Sequence, residues 1–127
     1  MIFKETRLKD CFIIEPNIFN DDRGYFFESF NQKTFNEGVG RAVDFVQDNE
    51  SLSFRGVIRG LHFQTEKYAQ AKLVRVISGS ILDIALDIRK ESPTFGEYVA
   101  IELNEDNKTQ LFVPRGFAHG FAVLSDT

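Results

Sequence analysis

The segment 55–64 combines a histidine with two arginines in a pattern that is typical of a β-strand. It reads Arg-Gly-Val-Ile-Arg-Gly-Leu-His-Phe-Gln, so polar side chains would lie on both faces of the strand. A strand buried entirely in hydrophobic core would not tolerate this cheaply, because unpaired polar groups lose their hydration. We therefore predict that the strand lines a wet pocket, with His62 in its wall and Arg59 available to an anionic ligand.

A second predicted strand, 71–77, carries Lys72 and Arg75. If the two strands form a hairpin centred near Lys67, His62 lies opposite Lys72 and Arg59 lies opposite Arg75. Facing arginines are destabilising unless an anion neutralises them. A phosphate or diphosphate would do so, because guanidinium groups bind phosphate oxygens in two places.

Together, His62 and Lys72 could perform proton transfer next to a carbonyl group. A neutral imidazole can remove a proton from the neighbouring carbon, and an ammonium group stabilises the enolate that forms. The alternative is a histidine that core hydrogen bonds satisfy. We favour the pocket interpretation because Arg59, Gln64 and Lys72 are expected close by.

A second histidine, His119, lies on a late predicted strand and raises the question of a metal site. Zinc or iron would need a third nitrogen or carboxylate ligand. The nearest candidates are Gln64, which is a poor ligand, and Lys72, whose positive charge opposes a divalent ion. No metal is therefore expected.

Two further groups of residues could bind a nucleotide. Near the first turn, Phe26 could stack on a base and Glu28 could accept a base N–H, with Arg23 beside them; Phe26 could equally belong to the core. In the predicted strand 45–49, Gln47 and Asn49 share a parity and would point into the same space.

Composition limits the class of protein. The chain has 127 residues, 43% of them hydrophobic, which is enough for one domain with one core. Its net charge of −4 gives no support to nucleic-acid binding. A single cysteine, Cys11, excludes an internal disulfide and fits a reducing cytoplasm. No apolar stretch is long enough to cross a membrane. We expect one cytoplasmic domain without a membrane partner.

Short aromatic and β-branched runs separated by turn residues predict an all-β sandwich, barrel or jelly roll. One short helix is predicted over 32–37, capped by Asn31 and ended by Gly38. Other predicted strands include 25–30, 81–88, 98–103 and 109–113. In strand 81–88 the alternation predicts that Leu82, Ile84, Leu86 and Ile88 point inward and that Asp83, Asp87 and Arg89 point outward.

Five ordered blocks of this sequence resemble the dTDP-4-dehydrorhamnose 3,5-epimerases, which are cupin-type jelly rolls (double-stranded β-helices). The blocks are DRGYFFE at 22–28, FVQDN at 45–49, RGVIRGLHFQ at 55–64, KLVRV at 72–76 and VPRGFAHGF at 113–121. They are spread over the whole chain. The combination is far more specific than any block alone.

The resemblance implies a homodimeric epimerase that needs no cofactor and inverts C3 and C5 of a dTDP-4-keto-6-deoxyhexose in rhamnose precursor synthesis. By that analogy, His62 is the general base and Lys72 stabilises the enolate. The implied substrate-binding residues are Arg23, Gln47, Asn49 and Arg59 at the diphosphate and sugar, Phe26 and Glu28 at the thymine, and His119 in the wall of the sugar pocket.

The chain also departs from the family pattern. The general-acid tyrosine and the aspartate that orients the base lie further along in the family than Thr127. We therefore expect residues 1–127 to be a single jelly-roll domain truncated at its C-terminus that epimerises poorly alone. The alternatives are a sibling epimerase acting at one carbon, a 3,4-ketoisomerase, a non-catalytic dTDP-sugar-binding module and, less favoured, a metal-dependent cupin oxygenase.

Overall fold

The computed structural model describes residues 1–127 and consists of ten β-strands, one α-helix and one 3-10 helix. The strands are β1 (Ile2–Glu5), β2 (Phe12–Glu15), β3 (Phe19–Asp21), β4 (Gly24–Phe26), β5 (Ile58–His62), β6 (Lys72–Arg75), β7 (Ser80–Asp87), β8 (Tyr98–Asn104), β9 (Gln110–Val113) and β10 (Phe117–Val123). Helix α1 spans Gln32–Val39, and the 3-10 helix spans Glu66–Tyr68. No helix has the length and apolar character needed to cross a membrane.

The strands form two antiparallel four-stranded sheets and a separate two-stranded ribbon. The first sheet has the order β1-β2-β9-β6, the second has the order β5-β10-β7-β8, and β3 pairs with β4. Because β6 and β7 follow each other in sequence but lie in different sheets, the chain crosses between the layers, as in a jelly roll. The all-β jelly-roll prediction is confirmed, although the strands do not close into one continuous barrel.

The main core lies between the two sheets. Its eight buried residues are Leu8, Cys11, Val76, Ala85, Leu103, Leu111, Val113 and Phe117. Five of them lie on strands of both sheets, and the two layers therefore share one hydrophobic interior. Leu8, Cys11 and Val76 join them from the connecting segments. Cys11 is fully buried within it as a small apolar residue, as the sequence predicted.

Helix α1 packs Phe35 and Val39 against Ile14 and Phe112 of the first sheet. As predicted, Asn31 caps its start, because its side-chain oxygen accepts a hydrogen bond from the Thr34 N–H at 3.1 Å. The predicted end at Gly38 is wrong. The helix continues to Val39, and Gly40 ends it with a φ of 74°.

Gly38 serves packing instead of helix termination. A Cβ atom at this position would lie 2.5 Å from the ring of Phe3 on β1. Only a residue without a side chain lets the helix approach the strand so closely.

Two predicted strands, 25–30 and 45–49, are not formed as expected. The first is reduced to β4, which pairs only with β3, and the second is irregular. Phe45 packs instead among aromatic rings, with its centroid 5.5 Å from Phe30 and 5.3 Å from Phe35. Phe45 is partly buried in this aromatic cluster, but no neighbouring strand is available to pair with the segment.

The predicted facing of β7 is also wrong. Asp83, Ala85 and Asp87 are fully buried, whereas Leu82 and Leu86 on the alternate face are only partly buried. Period-two alternation distinguishes two faces but does not say which faces the core. The inner face accepts carboxylates because each finds hydrogen-bond donors there, as described below.

Candidate active site

The predicted hairpin between β5 and β6 does not exist, because these strands belong to different sheets. β5 pairs with β10, which places Arg59 opposite Phe121. β6 pairs with β9, which places Arg75 opposite Gln110. No pair of facing arginines is therefore formed, and the predicted phosphate site between Arg59 and Arg75 is wrong.

His62 and Lys72 nevertheless line the same cavity. The cavity has a volume of about 420 Å³ and is lined by Leu61, His62, Phe63, Gln64, Gln70, Lys72 and Phe117. The segment 63–71 leads from the end of β5 in one sheet to the start of β6 in the other. Each residue therefore reaches the cavity from a different layer of the jelly roll.

Glycine permits the close approach of β5 and β10 that positions His62. A Cβ at Gly60, which has a φ of 124°, would lie 2.6 Å from the Cα of Gly120. A Cβ at Gly120 would in turn lie 2.6 Å from the carbonyl oxygen of Arg59. The register shifts between His119 and Phe121, so the strand is irregular beside the site.

His119 lies next to His62, because the two are directly paired across β10 and β5. Directly paired residues of antiparallel strands point to the same face. The His119 side chain is almost fully buried, and its Nε2 is 2.7 Å from Oδ1 of Asp83 on β7. No group of the chain forms a hydrogen bond with its Nδ1.

Asp83 is only half satisfied. Its Oδ1 bonds His119, but its Oδ2 is buried and has no hydrogen-bond partner. Burial raises the pKa of the Asp83 carboxyl, while the hydrogen bond with His119 and the positive charges of His119 and Lys72 act in the opposite direction. The interior of the site thus contains a carboxylate close to a histidine and a lysine.

A second buried carboxylate, Asp87, supports one wall of the cavity. Its oxygens accept hydrogen bonds from Arg89 at 2.9 and 3.0 Å and from the hydroxyls of Ser92 and Thr94, both at 2.6 Å. The Arg89 guanidinium lies 4.8 Å from the ring centroid of Phe117, which lines the cavity. This network holds the ring in place.

The other predicted site residues lie outside the set that lines the cavity. The Nε of Arg59 donates to the Ser53 hydroxyl at 2.9 Å, on the edge strand that also carries His62. The side-chain amide of Gln47 donates to the Asn49 side-chain oxygen at 3.2 Å, so these two are adjacent, as predicted, although no strand joins them. All of these groups are exposed.

The ribbon residues Arg23, Phe26 and Glu28 are also exposed. Arg23 bonds Asp21 at 2.6 Å, and 90% of its side chain remains accessible. Phe26 exposes 69% of its surface, so the alternative that it belongs to the core is wrong in this chain.

Sequence reasoning missed Asp83, Gln70 and Phe117. Asp83 was assigned to the solvent face of β7, although its apolar strand context gave a signal: an acid flanked by Leu82 and Ile84 is a candidate for a buried, paired carboxylate. Gln70 and Phe117 carried no such signal. Their places in the cavity depend on how the chain crosses between the sheets.

Metal ligation finds no support in the side-chain arrangement. No group of three or more His, Cys, Asp or Glu side chains is placed to hold an ion. What the cavity offers is an imidazole, an ammonium group and two amides beside apolar walls. Such a set can bind an oxygen-rich ligand, accept a proton and stabilise negative charge on oxygen.

Known proteins resemble this chain over nearly its whole length. A family model described as dTDP-4-dehydrorhamnose 3,5-epimerase matches residues 5–127. An epimerase of that name from Shigella flexneri is 60% identical over 122 residues, which are 96% of this chain and 67% of the relative.

Solved structures agree with this match. The dTDP-4-dehydrorhamnose 3,5-epimerase of Elizabethkingia anophelis NUHP1 has a TM-score of 0.93 and 55% identity, covering 98% of this chain and 68% of that one. The dTDP-6-deoxy-D-glucose-3,5-epimerase of Legionella pneumophila, solved with dTDP-4-keto-L-rhamnose, has a TM-score of 0.94 and 49% identity, covering 98% and 65%.

The fold and the cavity, together with these neighbours, define an isomerase of the cupin-type nucleotide-sugar class. Because the family model and a relative at 60% identity both cover almost all of the chain, the assignment can be more specific. The chain belongs to the dTDP-4-dehydrorhamnose 3,5-epimerase family.

Proposed function

We propose that this protein inverts C3 and C5 of dTDP-4-dehydro-6-deoxy-D-glucose to give dTDP-4-dehydro-L-rhamnose. The observation that carries the proposal is the meeting of His62 and Lys72 in one cavity from two different sheets. Family membership supplies the substrate class, and the two side chains supply a base and an electrophile of the kind that this reaction needs.

The reaction follows from the acidity that the C4 ketone gives to its neighbouring C–H bonds. The imidazole of His62 accepts the proton from the carbon, and the C–H electron pair moves into the C4 carbonyl to form an enolate. The ammonium of Lys72 stabilises the charge on that oxygen. A proton that comes from solvent is then delivered to the opposite face of the carbon, the ketone reforms, and the configuration is inverted. His62 releases the abstracted proton to water.

For the substrate-binding residues we propose the assignments that the family pattern gives. Among these assignments, that of Arg59 has the strongest structural support, because Arg59 lies on β5 three residues before His62 and its side chain is accessible. Gln47 and Asn49 present their amides together. Arg23, Phe26, Glu28 and His119 complete the set, with His119 beside His62 and the other three on or next to the exposed ribbon.

A homodimer is the proposed assembly. The outer face of the second sheet carries an apolar stripe of Leu82, Ile84 and Leu86, paired with the small residues Ala122, Gly120 and Ala118. Phe19 and Phe26 on the ribbon expose 64% and 69% of their surfaces. Apolar surface of this kind is typical of an interface.

Sedimentation of the wild-type protein and of the Ile84→Glu variant tests the proposed homodimer. The variant should be a monomer, and a monomeric wild type would contradict the proposal.

Residues 1–127 are proposed to form one domain, since a single main core joins both sheets. None of Tyr25, Tyr68 and Tyr98 lines the cavity. We therefore propose that the 127 residues alone exchange protons slowly, because the second face of the sugar lacks a phenolic donor. The lone buried cysteine is compatible with a cytoplasmic location.

The test is incubation with dTDP-4-keto-6-deoxyglucose in heavy water, with deuterium read at each carbon by NMR. Label at C3 and C5 supports the proposal. His62→Asn should reduce incorporation about 100- to 10,000-fold, because it removes the base. Lys72→Met should reduce it strongly as well. Lys67→Met is the matched control, because Lys67 lies outside the cavity lining, over the ring of Tyr68.

Other isotope patterns identify the alternatives. Label at a single carbon would support a sibling epimerase, and tight dTDP binding without any label would support a binding module. A 3,4-ketoisomerase would instead move the ketone. Equal incorporation by wild type and His62→Asn would overturn the assignment of the base.

A further inference from the structure

The interior face of the second sheet carries a line of polar side chains that ends at the cavity. β5, β10 and β7 are neighbours in that order. His62 and His119 are directly paired across the first two, and the ring of His119 contacts Asp83 on the third at 2.7 Å. Lys72 lines the same cavity from the first sheet.

From this arrangement we infer that Asp83 is a positioning residue of the site, which orients the ring of His119 through one carboxyl oxygen and leaves the other ring nitrogen to a ligand. The inference rests on the proposed function for its catalytic consequence. Its physical content, the hydrogen bond that fixes the tautomer of His119, can be measured without any turnover.

The first half of the linkage is a hydrogen bond with a defined direction. When His119 is neutral, the Asp83 carboxylate requires the proton on Nε2, because a carboxylate accepts and does not donate. The proton on Nε2 leaves Nδ1 as an acceptor, and Nδ1 has no partner within the chain. Asp83 thereby fixes the tautomer of His119 and leaves one ring nitrogen available to a ligand.

The second half is the state of the other carboxyl oxygen. Oδ2 of Asp83 is buried without a hydrogen-bond partner, which is a costly state for a carboxylate oxygen. The fold itself therefore leaves this buried group half satisfied, and a role in fixing the His119 ring accounts for its presence at the site.

The surroundings leave few other charges to perform this task. His119 contacts Asp83 from β10, whereas His62 on β5 and Lys72 on β6 line the adjacent cavity. Cys11 is near Asp83 and also near Asp87 and Arg89. Arg89 is engaged by Asp87 and Asp10. The core residues of β8 and β9 here are apolar: Leu103, Leu111 and Val113.

The experiment compares wild type with Asp83→Leu, which keeps a similar volume and removes the acceptor for His119. Ser92→Ala is the matched control, because it removes one hydrogen bond from the other buried carboxylate, Asp87, without changing charge. Deuterium exchange is measured for all three. We expect it to fall about 10-fold in Asp83→Leu only, because the His119 ring loses the partner that fixes it.

NMR provides the readout that does not need activity. Long-range proton–nitrogen spectra should show neutral His119 protonated on Nε2 in wild type and in Ser92→Ala, but not uniformly so in Asp83→Leu. If Asp83→Leu fails to fold, the wild-type spectrum still decides, because neutral His119 protonated on Nδ1 would overturn the inference.

The outcomes are separable. Neutral His119 protonated on Nδ1 in wild type, or an unchanged tautomer in Asp83→Leu, overturns the inference even if the enzyme is active. A changed tautomer in a protein that exchanges no deuterium would support the inference and remove the proposed function. A loss of exchange without a changed tautomer would show a merely structural role for Asp83 and overturn the inference as well.

Discussion

Two carboxylates on one strand, Asp83 and Asp87, are equally buried and face the same interior, yet their surroundings differ. Asp87 accepts hydrogen bonds from Arg89, Ser92 and Thr94 at both oxygens. Asp83 bonds only His119 and leaves Oδ2 without a partner. Both oxygens of Asp87 are therefore satisfied within the fold, whereas Asp83, beside the cavity, has one oxygen without a hydrogen bond.

The difference separates stability from function. For Asp87, burial would by itself raise the pKa, but the hydrogen bonds from its three partners outweigh burial and hold the pKa far below its usual range. For Asp83, burial is the larger effect and the pKa is raised. Because the fold stabilises the charged form of Asp87, that carboxylate contributes to folding stability. The fold disfavours the charged form of Asp83, so we infer that this residue is retained for a role at the site.

The largest expected effect is the loss of the Asp87 network. Asp87→Asn should lower the free energy of unfolding by about 3–5 kcal/mol, because it leaves the partly buried guanidinium of Arg89 without its main counter-charge. Urea denaturation measures this. The rate of deuterium exchange per folded molecule should stay near that of wild type. A lower rate per folded molecule would contradict the conclusion that Asp87 acts only in stability.

The same network predicts acid sensitivity. The folded pKa of Asp87 lies below the unfolded value near 3.8, so the unfolded chain binds the proton more tightly. Its contribution to stability is therefore present above about pH 3.8 and is lost as the pH falls towards the folded pKa. Denaturation series from pH 7 to pH 3 should show this loss in wild type but not in Asp87→Asn.

A smaller loss of stability is expected from substitution of Gly116, because the side chain of Arg89 packs where a Cβ of residue 116 would lie. Gly116 has a φ of 84°, and a Cβ there would lie 2.5 Å from Cγ of Arg89. Gly116→Ala should cost about 1–3 kcal/mol in unfolding free energy. Gly96→Ala is the control, because Gly96 has a φ of 82° but no atom within 4 Å of its Cβ position. Equal costs would mean that contact with Arg89 is unimportant.

Substitution of Asp83 should affect stability less, and with the opposite pH dependence. Its folded pKa is raised above 3.8, so the folded state favours the protonated form. Stability relative to Asp83→Asn is fully present below that pH and falls as the pH rises through the folded pKa. At pH 7 the variant should lie within about 1 kcal/mol of wild type or above it. A loss as large as that of Asp87→Asn would make the two sites equivalent.

The smallest effect concerns Cys11, which lies near both carboxylates. Burial raises the pKa of its thiol from 9.0 to about 11, and Asp83 and Asp87 add to the shift. At pH 8 the folded protein should hold roughly 100-fold less thiolate than an ordinary cysteine. Iodoacetamide should modify it slowly in buffer and rapidly in urea, while rapid modification in buffer would show an accessible thiol.

Much of the site could be read from residue types alone. The block 55–64 predicted that His62 lies on a polar strand, and Lys72 lies a short connection further along the chain. Both side chains line the cavity. The predicted route to their meeting, a hairpin, was nevertheless wrong. Sequence proximity favours local pairing, but in a jelly roll consecutive strands are divided between two sheets, so their partners come from distant segments.

The sequence by itself determined the alternating strands, the Asn31 cap and the family's five blocks, because these depend on local geometry and on residue identity. Only the tertiary structure decided which face of β7 is buried. Alternation is symmetric between the two faces, and an aspartate becomes tolerable inside only when another strand or loop supplies a donor. For Asp83 that donor is His119, 36 positions away in the chain.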